Sequence, residues 1–194
     1  MPRPSKRNDL LTKGLDLVHR KGFSASGVAA ISEAAAAPKG SFYNHFKSKD
    51  EFGRAILENY FEDVRAAMLE EAAEPARTGF ESVLSYFKQL RNYNAKVGFE
   101  RGCLIGNLSA EASQLSKATR FRAANLLQEW SAMLALLIAK GQADLSISKT
   151  VKPEAIGSIL LDSWQGALLR SKVQGNADAQ DNFIKLLLPL ALRV

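Results

Sequence analysis

The chain has 194 residues, 46% hydrophobic and 24% charged, the balance of a globular protein of one or two domains that can bury a core, and not that of a disordered chain. No run of about 18 apolar residues occurs, which excludes a membrane-spanning helix. The net charge of +6 is unevenly placed: residues 1–54 carry ten Lys and Arg against five Asp and Glu, while residues 55–194 are close to neutral.

Helical periodicity runs through almost the whole chain, and no alternating, β-branched-rich stretch interrupts it, so the fold class is all-α with about nine helices. A first helix is predicted over residues 5–21, with Leu11, Gly14, Leu15 and Val18 on one face and Gly22 as its stop. Ser26 is placed to cap a short second helix over residues 27–34 carrying Val28 and Ile31. Pro38 opens a third over 38–45, since proline is tolerated in a first turn. Ser48 and Glu51 have the spacing of a capping box that launches a longer fourth helix, 49–72, with Phe52, Ala55, Ile56 and Tyr60.

Residues 74–79, with Pro75 and Gly79, break the pattern and mark a domain boundary. Beyond it Phe80, Val83, Leu84, Phe87 and Leu90 define a fifth helix, and residues 98–102 a loop. A sixth helix is expected over 103–113 and a seventh over 118–140, carrying Leu126, Leu127, Trp130, Leu134, Leu137 and Ile138. A polar connection over 141–153 leads to an eighth, 154–173, and after Gly175 and Asn176 a ninth runs through Phe183, Leu187 and Leu190.

Three short helices in the basic first quarter, with a tight break between the second and third, have helix-turn-helix spacing. In that geometry the second helix of the motif enters the major groove. Helix three offers Lys39, Gly40, Ser41, Tyr43 and Asn44, short or polar groups suited to base edges and phosphates, and His45, Lys47 and Lys49 flank it as phosphate holders. Phe42 and Phe46, four apart on one face, are expected in the core. A helical corner with merely solvated lysines accounts for the same residues.

The string Lys39-Gly-Ser-Phe-Tyr-Asn-His-Phe-Lys-Ser-Lys-Asp-Glu-Phe52, with Val28 and Ile31 before it, resembles the TetR/AcrR family of bacterial repressors over residues 8–58. The resemblance implies that Tyr43, His45 and Lys49 hold phosphates and that Lys39, Gly40, Ser41 and Asn44 approach the bases; Ser26, at the start of the second helix, joins this set. At the turn the family often has Gly-Val where this chain has Ala36-Ala37. Residues 1–54 are then expected to form a DNA-binding domain, helix four a connector, and residues 73–194 an effector-binding and dimerisation domain. The partners implied are a near-palindromic double-stranded operator, a second copy of the chain and a small-molecule effector, with no cofactor, no metal and no membrane.

An enzyme would need acid-base or metal chemistry. Both histidines, His19 and His45, fall in the basic first quarter, and no His-x-x-x-His, Glu-x-x-His or clustered carboxylate set occurs. A helical adaptor would not need the concentrated basic motif. Helix nine is apolar almost all round and so must bury more than one face, either in a four-helix dimer interface, as the resemblance implies, or in a deeper monomer core.

Cys103 is the single cysteine; it can form neither an internal disulfide nor a Cys-rich zinc site, and a reducing, cytoplasmic location is the default. The start, Met1-Pro-Arg-Pro-Ser-Lys-Arg7, has no apolar stretch behind it, so no signal peptide is expected. The segment Arg101-Gly-Cys-Leu-Ile-Gly-Asn-Leu-Ser-Ala-Glu111 is similar to the NemR-like branch, which implies a response to electrophiles or oxidants at Cys103, with a lysine at the place of Lys172. Position supports a reactive thiolate: Cys103 follows Gly102 at a helix start, Arg101 adds charge, and Lys172 shares a stripe with Trp164 and Leu168. A small buried thiol and a solvated end-of-helix lysine fit the same sequence, with a non-covalent effector bound elsewhere.

Overall fold

In a computed structural model that describes residues 6–150 and 152–192, every regular element is helical. Residue 5, the expected first residue of the first helix, lies outside the described residues, as do residue 151 of the polar connection and residues 193–194. The helices are α1 (Lys6–Lys21), α2 (Val28–Ala34), α3 (Lys39–His45), α4 (Lys49–Ala73), α5 (Gly79–Lys96), α6 (Leu104–Ala110), α7 (Lys117–Ala143), α8 (Pro153–Gln174), α9 (Asp178–Asn182) and α10 (Leu188–Leu192). Among the described residues no helix is long and apolar enough to cross a membrane.

The chain divides into two compact units, Met1–Glu62 with Cys103–Leu126, and Asp63–Gly102 with Leu127–Val194. The division falls inside α4 and α7. Neither unit is one contiguous stretch: α6 and the first part of α7 belong with the N-terminal helices, although the sequence places them among the C-terminal ones.

In the first unit α1, α2 and α3 pack against one another around Leu10, Val18, Ile31, Phe42, Phe46 and Phe52, all buried. Gly14 permits this. A Cβ there would lie 2.6 Å from Phe52 Cζ and 2.9 Å from an Ile31 methyl, so only glycine lets α1 approach the ring. The rings of Phe42, Phe46 and Phe52 stand 5.3–5.5 Å apart, centroid to centroid, the spacing of stabilising aromatic pairs. Along α4 and α7 this unit is tied by Thr119 Oγ1 donating to Asp50 at 2.6 Å and by an Arg122–Glu58 ion pair.

The chain ends these helices in two ways. Gly22, at φ +88°, stops α1 as its sequence suggests. After α2 the Ala37 N–H reaches back to Ser32 O and the Ala36 N–H to Glu33 O, both at 2.9 Å, the bonding pattern of a Schellman cap. Its left-handed position is filled by Ala36, at φ +47°, where an L-residue with a Cβ costs about 1 kcal/mol relative to glycine. The expected Ser26 cap does not form: the N-cap of α2 is Gly27, without a side-chain bond, and the buried Ser26 hydroxyl donates to Gly22 O at 2.7 Å. The Ser48 box forms by half. Ser48 Oγ accepts the Glu51 N–H at 3.1 Å, but the Glu51 carboxylate reaches one residue further back, to the Lys47 N–H at 2.8 Å.

In the second unit a complete capping box opens α5 where the sequence reads only as a break: Thr78 Oγ1 accepts from Glu81 N–H, and the Glu81 carboxylate accepts from Thr78 N–H. The start of α5 meets the end of α7 backbone to backbone, so that a Cβ on Gly79 would lie 2.0 Å from Gly141 N. Glu71, almost wholly buried, accepts from Arg77, Ser85 and Gln89, which satisfies a charge that would otherwise be costly to bury. Phe87, Trp164 and Phe183 form an aromatic cluster joining α5, α8 and the last helical run.

That last run, residues 178–192, is continuous, but between α9 and α10 it widens into a π-helical turn, Phe183–Leu187. Pro189 sits just beyond; it cannot donate to the carbonyl four residues back and its ring crowds that group, so the preceding turn opens. The sixth helix is shorter than the expected 103–113: Cys103 and Glu111 are its N-cap and C-cap, and a 3-10 turn follows at residues 112–114. Gly106 and Asn107, both weak helix formers, occupy its middle.

Replacing Gly79 by Ala forces the α5 and α7 backbones apart and should cost about 3 kcal/mol, the upper range of overpacking, lowering the melting temperature by roughly 6–12 °C. Gly98→Ala, at a site with nothing within 4 Å but φ +68°, separates steric from backbone cost. A melting curve for Gly79→Ala within 2 °C of the parent would show that the contact yields without strain.

Candidate nucleic-acid interface

Phe42, on the inner face of α3, and Phe46, the extended C-cap just after it, are both buried in the core, and this fixes which residues look outward. Lys39, Gly40, Tyr43 and Asn44 form an exposed face; Tyr43 is 52% exposed, with its ring edge-on to Phe42. Ser41 and His45 are half-buried at its margins and Lys47 is exposed beyond its end. Ala34 to Lys49 contains no acidic residue. The surface is small, polar and basic, with the donors and the shallow relief that a groove lined by phosphates requires. Gly40 has nothing within 4 Å of where a Cβ would stand, so its bare backbone faces open space.

Two members of the expected contact set stand differently. Ser26 presents no surface for a phosphate, being fully buried. Lys49 is half-buried and its ammonium is already engaged: Nζ donates to Ser24 O at 3.2 Å and lies 4.6 Å from the centre of the Phe23 ring. Burial pushes its pKa down, opposed by the charge of Glu111.

Glu111 is the residue that sequence reasoning did not single out. Its carboxylate accepts the backbone N–H groups of Phe23 and Ser24 at 2.9 and 2.7 Å, in the turn between α1 and α2. Gly22 makes room for it, since a Cβ on Gly22 would lie 2.8 Å from Glu111 Oε1. Burial raises the carboxyl pKa, but bonds from the Ser24 side chain and from the two N–H groups, with the charge of Lys49, outweigh it and hold the group below the usual carboxylate range. The partners lie 87 and 88 residues away in sequence, and no local pattern signals such a contact.

Cys103 is 3% exposed and its Sγ accepts the Gly106 N–H at 3.5 Å. Gly102 before it is in the left-handed region, at φ +66°. Cys103 belongs to the first unit and Lys172, half-buried in the last turn of α8, to the second. Trp130 and Trp164 are buried core residues. Among the described residues no group of three His, Cys, Asp or Glu side chains could hold a metal ion.

The second unit carries an apolar face. Ile159, Leu169 and Val173 on α8, with Leu186 and Leu190 on the last run, are exposed. Next to Leu186 and Leu190 a groove of about 410 Å³ separates α8 from the last run, lined by Gly166, Ala167, Arg170, Phe183 and Leu187 among others. Phe183, Ile184, Leu188 and Leu192 point into the unit's own core, so the last run is apolar on two faces and only one of them is covered.

An exposed basic recognition helix seated on a three-helix core defines a helix-turn-helix DNA-binding protein. Residues 10–56 match the family of bacterial regulatory proteins of the tetR family, and residues 79–187 match the tetracyclin repressor-like C-terminal domain. The chain is 36% identical, over 95% of its own length and 91% of the relative's, to the HTH-type transcriptional repressor DhaR of Mycobacterium sp. (strain GP1). Among solved structures it is similar to regulatory protein TetR from Rhodobacter sphaeroides (TM-score 0.91, 29% identity, 96% and 98% of the two chains). It is also similar to the reduced form of Escherichia coli NemR (TM-score 0.87, 27% identity, 97% of each chain). The chain belongs to the TetR family of DNA-binding transcriptional regulators, and its likeness to NemR supports the NemR-like branch.

Gly40→Ala separates stability from recognition. Alanine is the better helix former and meets no atom, so the variant should gain about 0.5–1 kcal/mol in stability. The added methyl stands on the exposed basic face of α3, and if that face meets the operator, affinity should fall about tenfold, the weight of one lost base or phosphate contact. Unchanged affinity measured by fluorescence anisotropy would remove Gly40 from the interface.

Proposed function

We propose that the protein is a repressor that binds a near-palindromic operator as a homodimer and leaves it when an effector binds. In this reading residues 1–54 read DNA, α4 connects, and residues 73–194 hold the effector and the dimer contact. The observation that carries it is the exposed, acid-free face of α3. Lys39, Gly40, Ser41 and Asn44 approach bases, while Tyr43, His45 and Lys47 hold phosphates, and Lys49 acts from the edge of the same surface. The chain regulates without a catalytic step of its own.

A second copy of the chain is the occupant best suited to the apolar face of α8 and the last run. Ile159, Leu169, Val173, Leu186 and Leu190 are large, exposed and on adjoining helices, and fully burying each such side chain is worth about 1.5–3 kcal/mol. The family's regulators function as dimers, and two recognition helices need a fixed spacing to read two half-sites. Leu190→Glu should therefore yield a monomer in light scattering at micromolar concentration. The same variant should bind a duplex drawn from the DNA upstream of its own gene at least tenfold more weakly. Parent affinity for that duplex should drop steeply between about 50 and 200 mM salt, as phosphate contacts release counterions. Salt-independent binding, or a dimer that survives the charge at position 190, contradicts the proposal.

For the effector, the reading favoured by likeness to NemR is covalent: a thiol-selective electrophile modifies Cys103 and releases DNA. The thiol is held against the first turn of α6, so an adduct there must displace that turn. Lys172 is the companion group suggested by the same likeness. With one cysteine in the chain, a mass shift after N-ethylmaleimide treatment reports Cys103 alone. Cys103→Ser should keep operator binding and lose the release. Release of Cys103→Ser at the same dose assigns the effector to a non-covalent pocket.

A further inference from the structure

We infer that Glu111, at the C-cap of α6, is a positioning residue for operator binding: it fixes the α1–α2 turn, and that turn holds the Lys49 ammonium beside the recognition surface. By sequence it lies far from the helix-turn-helix, inside the stretch that matches the C-terminal domain; by contact it belongs to the N-terminal unit.

Three independent features build the latch. First, the two N–H groups of Phe23 and Ser24 both aim at one carboxylate, and such charge-assisted bonds are about twice as strong as neutral ones. Second, Gly22 is in the left-handed region at φ +88° and leaves free the volume in which Glu111 Oε1 sits; any side chain there would push the carboxylate out. Third, the same turn holds Lys49 through Ser24 O and the Phe23 ring, so the acid and the base grip the same two residues, Phe23 and Ser24, from different elements.

The segment carries no regular structure of its own between α1 and α2. Its backbone sets the angle at which α1 hands over to α2, and α2 packs on α3. Loss of the carboxylate frees the Phe23 and Ser24 amides and leaves Lys49 without the charge that opposes its desolvation. The recognition face then spreads over several orientations, and the operator must select one of them. Affinity falls by the fraction of the population that is competent.

This inference rests on the DNA-binding reading, and the experiment keeps the two apart. Binding of full-length parent, Glu111→Ala and Glu111→Gln to the upstream duplex is measured by anisotropy at fixed salt, with helical content followed by circular dichroism and amide exchange by NMR. Parent binding is the control; its absence is a failure of the functional reading and not of the latch. With parent binding present, Glu111→Ala should bind about tenfold more weakly, within the usual range of coupling between sites. Glu111→Gln should fall between, since one amide oxygen still accepts while the charge facing Lys49 is gone. Exchange at Phe23 and Ser24 should quicken while amides of α5 and α8 keep their rates. A merely structural residue would not move one further readout: Lys49→Ala should cost less in the Glu111→Ala background than in the parent, whereas Lys47→Ala should cost the same in both. Folded Glu111→Ala that binds within twofold of the parent, or additive effects of Glu111 and Lys49, overturns the inference. So does loss of helical signal in both variants, which would make Glu111 a folding residue.

Discussion

The ring of Phe52 stands where a side chain at position 14 would be, and the exposed basic face of α3 depends on that substitution of ring for side chain. Gly14 brings α1 onto the ring, the ring packs against Phe42 and Phe46, and those two residues decide which way α3 faces. The outward residues Lys39, Gly40, Tyr43 and Asn44 are outward because Phe42 and Phe46 are inward. A few contacts in the small core thus set the geometry of the whole recognition face, and α4, which carries Phe52, is bound into the same arrangement from its first turn.

Much of this was legible because the relevant signals are local. The spacing of Phe42 and Phe46, the stop at Gly22 and the apolar stripe of the long helices follow from helical periodicity, and the structure places them as expected. What the sequence hid has a common cause. Ala36 ends α2 in a left-handed conformation that alanine does not advertise. Ser26 has the composition of a cap but spends its hydroxyl on Gly22 O, and Thr78, inside an apparent breaker, supplies a complete box. In each case the residue type permits two local bonding patterns, and packing chooses between them. Glu111 is the extreme case, with partners some 90 residues away in a turn whose own sequence is unremarkable.

Placing α6 with the N-terminal helices changes how its two ends are viewed. Cys103 and Glu111 are the caps of one seven-residue helix, about 10 Å long at 1.5 Å per residue. A rigid element of two turns has little freedom to absorb a disturbance at one end before it reaches the other. Its middle contains Gly106 and Asn107, the residues least able to keep a helix intact under load, so unwinding rather than tilting is the softer response. A change that reaches Glu111 is passed to the turn between α1 and α2, whose amides its carboxylate holds.

The stretch from Ala34 to Lys49 holds three lysines, one histidine and no carboxylate, and this has a kinetic consequence. A surface with nothing to repel phosphate is attracted to any duplex, whatever its sequence, through released counterions. On the proposed function, such a surface would keep the protein on arbitrary DNA between visits to its operator, which it would reach by sliding and hopping from neighbouring sequence. The genome acts as its reservoir. An effector that weakened only the specific complex would then return the protein to that reservoir, one lateral step from re-binding.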